Sequence, residues 1–187
     1  MLMAETGEEW NLQDLLRGRS IEQIEEEIKQ NVTTFVQSRK ELTETISPSR
    51  LKELVELKEK IIFDLDAVES YYGLQFTVDT KNQNVLAKMT YYDQLGTELG
   101  NQMIFFSLWL MHLDNTVAEA LISSPELAKY AYYLQEVRKA KPYTKDEATE
   151  QILSIKNMTT SAFSQLYDIF TSSFTYAIDG KEGLTQE

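Results

Sequence analysis

His112 is the only histidine in the chain, and there is no cysteine. A catalytic zinc usually takes three protein ligands, drawn from histidine, cysteine thiolate and carboxylate. A two-histidine metal site within one chain is therefore excluded, as are a thiolate site and a cysteine nucleophile. No HExxH occurs, and Trp109 stands where an ExxH motif would need its carboxylate. Asp114 is near His112 in sequence but projects away from it on a helix. Glu25, Glu26 and Glu27 are consecutive. Adjacent helix residues do not share a face, so they read as a solvated helix side rather than an acid/base pair. Neither a GxSxG elbow nor a glycine-rich phosphate loop is present. No residue is assigned a catalytic, cofactor-binding or metal-binding role.

The segment LAKYAYYLQEVRKAKPYTKDE, residues 127–147, concentrates four tyrosines and five basic residues in an acidic chain. Its tyrosines are expected on core and boundary faces, with the basic residues ending a helix. A tyrosine-rich face also suits contact with another domain or a partner. The formal net charge of −12 argues against nucleic acid and against anionic membrane surfaces. Apolar residues make up 42% of the 187, enough for a core. The most apolar run, residues 103–113, is too short to span a bilayer and reads as buried helix. MLMAETGEEW lacks the basic and apolar regions of a signal peptide, and with the absence of cysteine this leads to an expected cytoplasmic location.

These residues need elements to hold them, and the periodicity predicts an all-α chain of about six helices. Ser20 with Gln23 forms a capping-box pattern, and Ile21, Ile24, Ile28, Phe35, Leu42 and Ile46 follow at helical spacing over 20–46. Ser47-Pro48 opens a second helix, with Leu51, Leu54, Ile61, Leu65 and Val68 inward and Gly73 as its stop. The link is a residue or two, so the pair predicts an antiparallel hairpin. Residues 74–80 read as an extended connection. A third, central helix covers 82–121, where Gly96 and Gly100 suggest close packing by a neighbour. A fourth covers 125–140. Thr144 with Glu147 opens a fifth, and Thr160 a sixth with Phe163, Leu166, Tyr167 and Phe170 inward. From Phe174 to Ile178 the period changes to two, and Asp179-Gly180 signals a turn, so a short β segment is expected there. The chain divides into a hairpin, 1–80, and a helical domain, 81–187.

The run LAKYAYYLQEVRKAKPYTKDEATEQIL resembles a block in the N-terminal region of oligoendopeptidase F-type zinc metallopeptidases. The likeness continues in order. Trp10-Asn11-Leu12 with Asp14-Leu15 is similar to the family's opening motif, and Tyr91 to Asp114, with Phe105, Phe106 and Trp109, to its aromatic helix. KNMTTSAFSQLYDIFTSSFTY and GKEGLTQE resemble the segments that follow. Tyr132 and Tyr143 stand where the family often has histidine. The family's HExxH helix and downstream glutamate ligand are missing.

The resemblance implies an N-terminal, non-catalytic helical portion of an oligopeptidase. Its partners would be the catalytic domain of the same protein and, in that parent, short peptides; zinc belongs to the parent and not to this chain. Its role would be to restrict the cleft to short unfolded peptides. The other readings are a free-standing acidic all-α interaction module and a small enzyme using His112. Phe174, Tyr176 and Ile178, if left without their covering domain, predict self-association through this end.

Overall fold

The computed structural model describes residues 11–172, 174–178 and 181–184, with side chains placed for all of these except 158, 159, 161, 162, 165, 176, 178 and 181–184. After a 3-10 turn at Leu12–Leu16 come helices α1 (Ile21–Gln37), α2 (Pro48–Val78), α3 (Gln83–His112), α4 (Asn115–Ile122), α5 (Ala131–Lys139) and α6 (Glu147–Ser172). Strands β1 (Tyr176–Ile178) and β2 (Lys181–Leu184) pair antiparallel. The fold is all-α with this one small hairpin appended. Trp10 and the Asp179-Gly180 turn lie outside the described residues, while Asn11 caps the 3-10 turn that holds the rest of the opening motif.

Local chemistry sets most helix starts. Ser20 accepts from the Gln23 amide at 3.2 Å while the Gln23 side chain accepts from the Ser20 amide at 2.9 Å, so the capping box forms. Ser47 caps α2 through the Arg50 amide, with Pro48 in the first turn. Successive contacts along α1 meet descending positions on α2: Arg19 reaches Asp64, and Glu27 reaches Lys60. The hairpin is thus antiparallel. Its connection is longer than expected, because α1 ends at Gln37 and a 3-10 turn spans Ser38–Glu41.

Three further boundaries differ from the sequence reading. α2 does not stop at Gly73 but runs to Val78. An interior glycine costs a helix about 1 kcal/mol, and burial of Phe76 one turn later, at 5% exposure, offsets it. The long third helix breaks at Leu113, because the Asp114 carboxylate accepts from the Thr116 and Val117 amides and starts α4. The expected fifth and sixth helices are one. Asp146 caps α6 through the Thr149 amide, and Thr144 instead donates to the Ala140 carbonyl.

A continuous core joins α1, α2, α3, α4 and α5, with Ile24, Ile28, Phe35, Leu51, Leu54, Ile61, Tyr92, Phe106, Leu110, Leu127 and Leu134 buried. Phe106 and Leu110 face inward as the apolar stripe of α3 predicts. Gly96 makes the close approach of α3 to α2. A Cβ there would lie 2.7 Å from Glu69 Oε1 and 3.1 Å from Leu65 Cδ2, whereas at Gly100 it would meet nothing within 4 Å.

This approach traps the Glu69 carboxyl. Burial, with Asp93 and Asp66 nearby, pushes its pKa up to about 7. A raised carboxyl favours the fold fully below its unfolded value of 4.5, and that contribution is lost as pH rises through about 7. Glu69→Gln mimics the protonated form. It is expected to match the wild type near pH 4 and to exceed it by about 1–3 kcal/mol at pH 8, read from urea unfolding at both pH values. A variant no more stable than the wild type at pH 8 would contradict the trapping.

Candidate functional site

The residues with chemical potential are dispersed. His112 is exposed, and its Nδ1 lies 2.8 Å from the Leu108 carbonyl oxygen. It shares a hollow with Arg39, Leu42, Phe105, Leu108, Trp109 and Glu147. Arg39 grips Glu147 with two hydrogen bonds, at 3.1 and 2.7 Å, and Asp114 is committed to its cap. The three consecutive glutamates diverge as helix geometry requires, but two of them do more than face solvent. Glu25 accepts from the Tyr91 and Tyr92 hydroxyls at 2.7 and 2.8 Å, and Glu27 accepts from Arg19 and Lys60. Burial pushes the Glu25 carboxyl up, but hydrogen bonds from Lys29 and the two tyrosines outweigh it and hold it below its ordinary value. Among the described residues no three His, Cys, Asp or Glu side chains are grouped to hold a metal ion. None of those residues is long and apolar enough as a helix to cross a membrane.

The tyrosine-rich segment splits into structural and surface positions. Tyr130 is buried and donates to Glu59 at 2.7 Å. Tyr133 is half-buried and accepts from Lys58 at 3.1 Å. Tyr132 and Tyr143 project outward. Arg138 closes the end of α3, donating to the Leu110 and Leu113 carbonyls at 2.6 and 3.0 Å and to Asn115.

The largest departure from the sequence reading is α6. Phe163, Leu166, Tyr167 and Phe170, expected inward, are 67%, 60%, 68% and 62% exposed. Ile152 and Ile155 continue the stripe at 65% and 57%. Ile152 and Ile155 and, eight residues on, Phe163, Leu166, Tyr167 and Phe170 fall on one side of the helix, which also carries Lys156, so they form one largely apolar face. Phe174 extends it, its ring edge-on to Phe170 at 4.9 Å. Helix α6 packs on α3 through its other side, where the Gln151 amide donates to the Asn101 carbonyl at 3.2 Å, and its end bonds the α2–α3 connection through Ser172 and Thr80. The periodicity showed that this face is apolar; it held no information on what covers it.

The family model described as Oligopeptidase F matches residues 109–176, from the last turn of α3 to the start of β1. Over this stretch the chain is similar to the N-terminal region of oligopeptidase F-type peptidases. The match takes in the tyrosine-rich segment and the whole of α6. No curated protein and no solved structure matches the chain. Within the matched stretch Tyr132 and Tyr143 are surface positions, 74% and 84% exposed.

Proposed function

We propose that this chain is the helical N-terminal portion of a zinc metallo-oligopeptidase, and that it limits the cleft to short, unfolded peptides. One observation carries the reading: the apolar stripe of α6, inside the family match, is uncovered. A globular chain rarely leaves two clusters of large apolar side chains along one helix face in water unless another surface covers them. The zinc-bearing region of the peptidase is the cover proposed here. The residues of this chain do not fit a zinc site themselves, since His112 is the sole histidine and its Nδ1 lies against a backbone carbonyl. Its contribution is mechanical. A wall of helices excludes folded proteins by size, and the chemistry belongs to the region it covers.

Co-expression with an oligopeptidase F-type HExxH region tests the reading. The two are expected to co-purify, and the pair to cleave short peptides but not a folded protein. Phe163→Asp with Phe170→Asp places two charges in the apolar face and is expected to weaken association at least about tenfold, since burying an unpaired charge costs more than 1.4 kcal/mol. Co-purification unaffected by the double substitution would overturn the docking face. A second copy of this chain, rather than the HExxH region, occupying α6 in sedimentation would favour the free-standing module.

A further inference from the structure

On the side of α2 that meets the 3-10 helix Pro125–Tyr130 and the start of α5, a cavity of about 430 Å³ opens between Val55, Lys58, Ile62, Phe63, Tyr130 and Tyr133, with Glu59, Asp66 and Lys129 at its margin. The volume is that of a small-ligand site. Its walls are mainly apolar, and Ile62 and Phe63, which line it, are 42% and 43% exposed, with Arg17 stacked on one face of the Phe63 ring at 4.0 Å. One cation is built into the wall. Lys58 Nζ donates to Ser107 Oγ at 3.2 Å and to the Tyr133 hydroxyl at 3.1 Å, and stands 5.5 Å from the centre of the Phe106 ring.

The charge of Lys58 is not matched. Arg50, Lys52 and Lys60, the other cations of α2, each pair with carboxylates. Among the described residues Lys58 pairs with none, in a chain where 30 acidic residues face 18 basic ones. Its neighbour Glu59 is turned to Lys129 and Tyr130. Ser107 and Tyr133 orient the ammonium without neutralising it, and the remaining complement is an anion. The apolar wall beside it asks for an apolar group next to that anion. The margin adds acceptors: the Glu59 and Asp66 carboxylates suit N–H donors, which a simple fatty acid lacks and a peptide residue supplies.

We propose that this cavity binds the C-terminal residue of a short peptide. The carboxylate sits on Lys58, the apolar side chain lies against Ile62 and Phe63, and the amide N–H turns to the acidic margin. The inference rests on this geometry and not on the docking of α6, so the two fail separately: this one in peptide titration, that one in co-purification.

Calorimetric titration of the chain with N-acetyl-Gly-Phe as the free acid, its C-terminal amide, and hexanoate tests it. The free acid is expected to bind at about millimolar Kd, with the amide at least about tenfold weaker because it lacks the charge-assisted hydrogen bond. Hexanoate is expected to be weaker than the acid peptide as well. Ile62→Ala, at a 42% exposed side chain, is expected to weaken binding with little change in the unfolding transition, and Lys58→Met to abolish the difference between acid and amide. No binding of the acid, equal binding of acid and amide, or hexanoate binding as tightly as the peptide would each overturn the proposal. The acid–amide comparison uses the unaltered chain, so instability of Lys58→Met does not shield it.

Discussion

Phe106→Ala is expected to destabilise the chain by about 3–5 kcal/mol, near the top of the range for a single core truncation. Phe106 is 1% exposed, and its ring packs against Phe35 at 5.5 Å and Trp109 at 6.0 Å. Phe35 also meets Phe105 at 5.6 Å, so the cluster ties α1 to α3 where the core is continuous. Removing the ring forfeits its transfer energy and leaves a cavity that its two aromatic neighbours cannot fill by rotating. Lys58 would also lose the ring face beneath its ammonium. Urea unfolding reads the effect as a lower midpoint at unchanged slope. Phe163→Ala is the internal control. That ring has the same composition and helical spacing but is 67% exposed, so its truncation is expected to stay within about 0.5 kcal/mol. Equal costs at the two positions would mean that α6 is covered by the core and that the docking face does not exist.

The same two phenylalanines show what was legible in the sequence. Phe106 lies on a stripe that is apolar over many turns of α3, and periodicity placed it inward. Phe163 lies on an equally clean stripe, and periodicity placed it inward as well. Amphipathicity specifies that a face seeks cover, but the cover is a long-range property of whatever packs against it. Caps were legible where one residue type dominates, as at Ser20 and Ser47. They were missed at Asp114, whose carboxylate overrides a continuous apolar pattern by offering backbone amides a better partner, and at Asp146, which caps α6 two residues after the expected Thr144. Gly73 misled in the opposite direction, because tertiary burial of Phe76 outweighs a local propensity. The Lys58 cavity left no trace in the pattern: its lining comes from α2 and from residues around 130, and only the fold brings them together.

The second large effect is expected at Asp64. Its side chain is 3% exposed, yet it is charged and sits between Ile61 and Val68 on the buried face of α2. Arg19 binds one carboxylate oxygen at 2.6 Å and Lys60 the other at 2.9 Å, while Glu27 bonds both cations at 3.0 and 3.2 Å. The four charges close a ring that fastens the start of α1 to the middle of α2. Burial pushes the Asp64 carboxyl up, but the hydrogen bonds from Arg19 and Lys60 outweigh it, and the net shift is below the ordinary value of 3.8. Asp64→Ala leaves Arg19, only 24% exposed, with Glu27 as its one carboxylate partner. The expected cost is about 2–4 kcal/mol, somewhat under that of breaking a wholly buried pair because Lys60 stays solvated. The pH dependence separates charge from shape. A depressed carboxyl contributes stability above its unfolded pKa of 3.8 and loses it as pH falls through the lower folded value. Asp64→Asn keeps the shape and loses the charge. Its deficit against the wild type is therefore expected to hold from pH 7 to about pH 5 and to shrink below pH 4 as the native carboxylate is protonated. A deficit that stays constant down to pH 2 would show that Asp64 acts by filling space, and that the ring of charges does not hold the hairpin together.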